Sequence, residues 1–171
     1  MHKGKFSVLF VCTGNTFRSL VAEYCLKDFF KKNNIRNIMV SSAGIVAKDQ
    51  EPYAATINEL NKLKISLNGY KQKRLTRKLA LSQDIIIAMA IQHQKFIKNK
   101  YNLNSVLFNE VAIGKKTSVL DINQTISNYT KDIDSVNKYI VKTVDYIHGI
   151  TPKMYEHLIK MMVKKSSNIV Q

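Results

Sequence analysis

Residues 6–26 read FSVLFV-CTGNTFR-SLVAEYCL, an apolar run followed by a polar turn and a second run rich in apolar side chains. The first run is short and almost wholly apolar, which is typical of a strand buried on both faces of a parallel sheet. The polar turn covers residues 13–17, and the second run predicts a helix over residues 19–32. The stretch therefore predicts the strand-turn-helix unit with which an α/β domain begins.

Strands and helices alternate along the rest of the chain. We predict strands over residues 38–42, 84–89 and 105–108, and helices over residues 52–63, 75–82, 91–100 and 133–147. Thr151-Pro152 predicts the start of a further helix, because an N-cap residue followed by proline is typical of a first helical turn. We expect residues 114–131 to be irregular and the tail from about Lys164 to be frayed. The pattern predicts one α/β domain over residues 1–171 with a central parallel sheet.

The composition is that of a protein with a hydrophobic core and a basic surface. Hydrophobic residues make up 45% of the 171 residues, and 27 Lys+Arg against 12 Asp+Glu give a net charge of +15. The basic residues are spread along the chain, so we expect no nucleic-acid partner. No run approaches the roughly 18 to 20 apolar residues that cross a bilayer, and nothing resembles a secretory signal. We therefore expect a soluble, cytoplasmic protein without membrane insertion.

Cysteine and histidine are scarce in this chain. Cys12 and Cys25 are the two cysteines, which excludes a disulfide framework, and the four histidines show no metal-ligand spacing. We expect no metal ion. Cys25 lies two turns into the first predicted helix, where a core position is the expectation.

Cys12 lies at the carboxyl end of the first predicted strand, and Arg18 follows five residues after it, where the helix begins. Ligands of open α/β sheets bind at that end of the strands. A turn that leads into a helix offers free backbone N–H groups and the positive end of the helix dipole, and Gly14 lets the backbone bend inward. The spacing therefore predicts a site for phosphate or another oxyanion.

A cysteine in this setting has a specific chemistry available. The helix N-terminus and a nearby arginine stabilise a thiolate, which can attack phosphorus, while Arg18 can hold two phosphate oxygens in a fork. Ser19 is positioned to donate a hydrogen bond to the sulfur of Cys12. The product of the attack is a cysteinyl-phosphate that water then hydrolyses. The alternative is that Cys12 is simply a small hydrophobic residue at the end of a buried strand.

The stretch CTGNTFRS, preceded by VLFV and followed by VAE, resembles the signature loop of the low-molecular-weight protein tyrosine phosphatases. Residues 41–44, SSAG, resemble the Ser-Ala-Gly segment of that family, and residues 84–89 resemble its third strand. The resemblance implies a flavodoxin-like three-layer sandwich, in which helices flank a four-stranded parallel sheet. It also implies a phosphorylated protein substrate and no metal or organic cofactor.

By the same resemblance, the loop that follows Cys12 holds the phosphate. Asn15 is expected to brace the loop, and Ser42 to support Asn15 from the second strand. The residues expected to bind substrate are Thr13, Gly14, Asn15, Thr16, Phe17 and Ser19.

The general acid is the main departure from the family pattern. Members carry the acid in an Asp-Pro pair before the penultimate helix, and this chain has no Asp-Pro. Asp121 is the first candidate for the residue that protonates the leaving group. An alignment without gaps instead points to Gln124, and Asp132 and Asp134 are further candidates, although a capping role at a helix start suits them better. A chain without any acid is the remaining alternative.

Three other residues are open to two interpretations. His93 follows the third strand, where we expect a solvated or capping side chain. Tyr53 and Tyr129 are placed either to form a pocket wall for an aromatic substrate or to serve as ordinary surface or core residues. Phe17 replaces a cysteine that the family usually carries before the arginine, which removes the neighbour that can form a protective disulfide.

Four functions compete for this sequence. Phosphotyrosine hydrolysis is the first, and protein arginine phosphatase is the second, because Thr16 stands where the tyrosine enzymes usually carry a larger aliphatic residue. A non-catalytic module that binds a phosphorylated ligand is the third, and the missing Asp-Pro favours it. Arsenate reductase chemistry of this fold passes oxidation through two later cysteines, and no cysteine follows Cys25, which excludes it.

Overall fold

The computed structural model describes residues 5–167 and contains one parallel sheet of four strands. The sheet order is β2-β1-β3-β4. Cys12 on β1 pairs with Gly44 on β2, so the carboxyl ends of these two strands lie side by side. The strands are β1 Phe6–Cys12, β2 Ile38–Gly44, β3 Ile85–Ala88 and β4 Val106–Leu107.

Helices cover both faces of the sheet, as the alternating pattern predicts. The helices are α1 Arg18–Lys32, α2 Ala54–Lys62, α3 Arg77–Leu81, α4 Ile91–Tyr101, α5 Phe108–Ile113, α6 Ile122–Thr125 and α7 Ile133–Ser167. Val8 and Phe10 of β1 pack into one core with α1, α5 and α7, whereas Leu9 and Val11 pack into a second core with α3 and α4. Burial on both faces explains why six of the seven residues of this strand are apolar. The four-stranded parallel α/β fold is confirmed.

The last two predicted helices form one continuous helix, α7, and the predicted start at Thr151-Pro152 is wrong. The hydroxyl of Thr151 donates to the carbonyl of Ile147 at 2.7 Å instead of capping a new helix. Proline inside a helix costs about 3 kcal/mol. Ile147, Met154 and Leu158, on both sides of Pro152, are fully buried, and each such side chain contributes about 1.5–3 kcal/mol. Packing along the whole helix therefore outweighs the lost hydrogen bond.

Two short helices were missed in the sequence. Helix α5 begins at Phe108, directly after the two residues of β4, and α6 lies inside the segment expected to be irregular. Both are of six residues or fewer, too short to show a helical period. Helix α7 continues past Lys164 to Ser167, and the rest of the tail that we expected to fray lies outside the described residues. Within residues 5–167, no helix combines the length and apolar character that a membrane crossing requires.

Candidate active site

The loop between β1 and α1 curls back on itself at the carboxyl edge of the sheet. Its left-handed residue is Asn15, with φ of 60°, and not Gly14, to which we attributed the bend. Asparagine tolerates this conformation better than other residues with a side chain. Gly44 on β2 lies directly beneath the loop, since a Cβ at Gly44 would come within 2.7 Å of the carbonyl oxygen of Thr13. The loop can approach the sheet this closely only because residue 44 has no side chain.

The side chain of Asn15 joins three segments of the chain. Its amide nitrogen donates to the hydroxyls of Ser19 at 3.1 Å and Ser42 at 2.7 Å, and its amide oxygen accepts from the backbone N–H of Lys73 at 2.9 Å. Ser42 in turn donates to the carboxylate of Glu23. Asn15 and Ser42 are fully buried, and Glu23 is 2% exposed. The structure therefore brings together the two residues that the family resemblance paired, and adds Glu23 beneath them.

Cys12 is the last residue of β1, and its sulfur faces hydrogen-bond donors of the loop that follows. Its Sγ is 2.9 Å from Ser19 Oγ and accepts the backbone N–H of Asn15 at 3.3 Å. The N–H groups of Thr16, Phe17 and Arg18 donate to no acceptor among residues 5–167. Free N–H groups around a sulfur, at the start of a helix, form an anion-binding concavity.

The guanidinium of Arg18 is held beside this concavity and is only 1% exposed. Its Nη1 donates to the carbonyl of Val119 at 2.9 Å, and its Nη2 donates to Thr13 Oγ1 at 3.3 Å and forms an ion pair with Asp121. Its Nε has no hydrogen-bond partner in the described part of the chain. A buried, charged donor without a partner is costly, so Nε is available for an anionic ligand.

Asp121 is the one acid candidate that reaches the pocket. It begins α6, where its Oδ1 accepts the N–H of Ile122 at 2.9 Å, and its Oδ2 accepts from Arg18 and from the hydroxyl of Thr13 at 3.3 Å. Gln124 accepts the backbone N–H of Asp121 at 2.9 Å and so serves as part of the cap.

Asp132 caps the start of α7, where it accepts the N–H of Ser135 at 3.0 Å, and this hydrogen bond lowers the pKa of its carboxyl. Asp132 and Asp134 do not line the pocket. The capping role that we preferred for Asp132 agrees with its position at the start of α7.

The pocket above Cys12 has a volume of about 260 Å³. Phe17 and Tyr53 meet edge to face in its wall, with ring centroids 6.3 Å apart, whereas Tyr129 does not line it. The wall is therefore partly aromatic, and Lys48 also lines the pocket. The lining residues are Cys12, Thr13, Gly14, Thr16, Phe17, Arg18, Val46, Lys48, Gln50, Tyr53 and Asp121.

The expectation of a solvated or capping His93 is wrong. The side chain is fully buried, and its Nε2 lies 3.0 Å from Thr13 Oγ1, while its Nδ1 has no partner among the described residues. Burial, and secondarily the charge of Arg18, lowers the pKa of His93 to about 3. Its place five residues after the end of β3 was the available signal in the sequence, because β1 and β3 are neighbours whose carboxyl ends share one edge.

The second cysteine belongs to the core. Cys25 is 1% exposed on α1, and burial raises the pKa of its thiol to about 12. Within residues 5–167, no group of three or more metal-ligating side chains comes together.

A parallel α/β sheet with a cysteine-arginine loop at the carboxyl end of its first strand defines a protein of the cysteine-dependent phosphatase class. The chain belongs to the low molecular weight phosphotyrosine protein phosphatase family, whose model matches residues 7–140.

Relatives within this family carry two different activities in their names. The chain is 33% identical over 120 residues to a protein-arginine-phosphatase of Bacillus subtilis, covering 67% of this chain and 77% of that protein. It is 33% identical over 88 residues to the low molecular weight protein-tyrosine-phosphatase Etp of Escherichia coli, covering 51% of this chain and 56% of that protein.

A solved structure adds a chemical detail. It is a cysteine-to-serine mutant of the YwlE arginine phosphatase with a phosphorylated active-site serine. It superposes on this chain with a TM-score of 0.77 at 25% identity, and the match covers 91% of this chain and 97% of that one.

Proposed function

We propose that this chain hydrolyses phosphorylated protein side chains, phosphotyrosine foremost, with Cys12 as the nucleophile. The observation that carries the proposal is the arrangement around the sulfur. Cys12 Sγ lies within hydrogen-bond distance of Ser19 and of the N–H of Asn15, beside an Arg18 whose Nε has no partner in the described chain. These donors suit a thiolate that attacks a phosphoryl group held above it.

In the first step, the sulfur of Cys12 forms a bond to phosphorus, and the bond from phosphorus to the leaving oxygen breaks. Arg18 and the free N–H groups of the loop stabilise the charge that spreads over the phosphoryl oxygens. Asp121 acts as the general acid, for which it enters this step protonated. Asp121 then gives its proton to the leaving oxygen.

In the second step, water attacks phosphorus, its proton passes to Asp121, and the sulfur–phosphorus bond breaks. Ser19 Oγ, 2.9 Å from the sulfur, donates a hydrogen bond to the departing thiolate. Phosphate leaves, and Asp121 and Cys12 return to their starting states. A positioned acid of this kind contributes about 10² to 10⁴-fold.

The wall of the pocket supports phosphotyrosine as the first substrate. Phe17 and Tyr53 present an edge-to-face aromatic pair at the pocket, and aromatic rings pack favourably in offset or edge-to-face contact. A substrate ring that enters the pocket can pack against this pair without the need for a polar partner.

Phosphoarginine is the second candidate, and Thr16 is the observation that favours it. Thr16 lines the pocket, where its hydroxyl can contact a polar guanidinium. The arginine phosphatase of B. subtilis among the relatives supports the same candidate. A non-catalytic binding module is less well supported, because Asp121 lines the pocket beside Arg18. The cytoplasmic location stays a prediction.

A turnover assay tests these proposals. We expect the wild type to hydrolyse an aryl phosphate and Cys12→Ser to show no turnover, while Cys25→Ala, which alters the cysteine outside the pocket, retains activity. Wild-type turnover equal to that of Cys12→Ser would rule out catalysis. A parallel assay on phosphotyrosine and phosphoarginine peptides decides the substrate. A preference for phosphoarginine that Thr16→Ile shifts toward phosphotyrosine would reverse our order.

A further inference from the structure

Among residues 5–167, the side chain of His93 makes one hydrogen bond, to the hydroxyl of Thr13, which also contacts Arg18 and Asp121. The hydroxyl of Thr13 lies 3.0 Å from His93 Nε2, 3.3 Å from Arg18 Nη2 and 3.3 Å from Asp121 Oδ2. His93 itself lines no part of the pocket and is fully buried behind Thr13. Thr13 is therefore the residue through which His93 is hydrogen-bonded to the pocket.

The hydrogen bonds of Thr13 can be assigned, because a hydroxyl has one proton and two lone pairs. Arg18 can only donate, so it takes one lone pair. Asp121, as the carboxylate partner of Arg18 in the ion pair, can only accept, so the proton of Thr13 points to it. His93 is left with the second lone pair and must donate to it from Nε2.

The charge state of His93 agrees with this assignment. Burial and the nearby charge of Arg18 lower its pKa to about 3, so the imidazole is neutral at pH 7 and carries one ring proton. With that proton on Nε2, the buried Nδ1 is an acceptor without a partner in residues 5–167. The opposite tautomer would leave a buried donor unpaired and would place two acceptors, Nε2 and Asp121, against the single proton of Thr13.

We propose that His93 is a positioning residue which, as the neutral Nε2–H tautomer, directs the hydroxyl of Thr13 toward Asp121 and so holds Asp121 in place for proton transfer. The inference rests on the proposed function, in which Asp121 is the general acid. An apolar residue at position 93 would remove the shortest of the three hydrogen bonds that orient the hydroxyl of Thr13. The hydroxyl would then hold Oδ2 of Asp121 less firmly.

Leaving-group dependence separates this role from a merely structural one. A general acid matters most for a poor leaving group, because the proton is then most needed in the transition state. We expect His93→Leu to lower turnover of phenyl phosphate about tenfold or more, and that of nitrophenyl phosphate clearly less. His93→Gln, whose amide offers an N–H near the position of Nε2, should recover most of the loss. His157→Leu, a partly buried histidine on α7 that contacts the carbonyl of Val111, is the matched control and should not change either rate.

The same variants in an Asp121→Asn background complete the test. His93→Leu should have no further effect there, because the group that it positions no longer carries the proton. An equal loss in both backgrounds, or an equal loss for both leaving groups, would overturn the proposal.

A second readout does not depend on activity. Nitrogen-15 NMR of the histidine rings tests the tautomer directly, with the signals of His93 assigned by their absence from His93→Gln. The assigned ring should be a neutral Nε2–H imidazole at pH 7, and its signals should be altered in Thr13→Val. An Nδ1–H or doubly protonated ring of His93 would overturn the proposal. If the wild type is no more active than Cys12→Ser, the proposed function fails, while the NMR result still decides the hydrogen bond between His93 and Thr13.

Discussion

Arg18 and Asp121 lie 103 positions apart in the chain and form an ion pair beside the sulfur of Cys12. The side chain of Arg18 is 1% exposed, whereas that of Asp121 is 24% exposed. Arg18 is thus fixed in the protein, and Asp121 faces the pocket. A phosphate that binds Nε, which has no partner in residues 5–167, shares the guanidinium of Arg18 with Asp121. The negative charge of Asp121 therefore opposes the binding of the anion, while the ion pair keeps the acid at the pocket.

This arrangement predicts two opposite effects for Asp121→Asn. Turnover of phenyl phosphate should fall by about 10² to 10⁴-fold, because the proton donor is lost. Inhibition by inorganic phosphate should become stronger, because a negative charge next to the anion has been removed. Steady-state kinetics with a phosphate titration measures both. Asp132→Asn, which alters a partly buried cap at the start of α7, is the control. Weaker phosphate inhibition in Asp121→Asn would contradict the prediction.

The strand-turn-helix unit could be predicted from the sequence because its determinants are local. Six of the seven residues of β1 are apolar since both faces of the sheet are covered, and the turn and helix follow directly in the chain. Asp121 could be ranked ahead of Asp132 from the sequence, but its ion pair with Arg18 could not be predicted, because it depends on where a loop folds in space. His93 was misassigned for the same reason, since its partner Thr13 lies 80 positions earlier.

Asn15 combines a left-handed backbone with three side-chain hydrogen bonds, and two substitutions separate these contributions. Asn15→Gly keeps the left-handed backbone conformation and loses the three side-chain hydrogen bonds. Each buried partner that is left unsatisfied costs about 1–3 kcal/mol. Asn15→Ala loses both and should lower the free energy of unfolding by roughly a further 1 kcal/mol. Urea denaturation with an unchanged m value measures the difference. Equal stability of the two variants would show that the φ of 60° carries no strain.

Phe17 and Cys25 predict how the enzyme responds to peroxide. Oxidised Cys12 has no cysteine beside it in the loop, and Cys25 is a buried thiol whose pKa is raised to about 12, which makes it a poor nucleophile. Inactivation should therefore add oxygen to Cys12 rather than form an internal disulfide. Intact mass before and after treatment distinguishes a gain of oxygen from a loss of two hydrogens. Phe17→Cys should introduce a disulfide that dithiothreitol reverses.

His93 also predicts how stability depends on pH. The pKa of histidine is about 6.5 in the unfolded chain and about 3 in the folded protein, because the ring is buried beside Arg18. Between these values the unfolded chain binds a proton that the folded protein does not. The free energy of unfolding should therefore fall as the pH is lowered from about 6.5, by up to about 1.4 kcal/mol per pH unit from this residue.

The variant His93→Gln isolates this contribution, since glutamine does not titrate and its amide can reach Thr13. Urea denaturation of both proteins at intervals from pH 7.5 to pH 4 provides the comparison. The two proteins share all other titrating groups, so the effects of those groups cancel when the free energies of unfolding are subtracted. The wild type should lose stability faster than the variant below about pH 6.5, and the two should run parallel above it. Parallel curves over the whole range would mean that His93 takes up its proton in the folded protein.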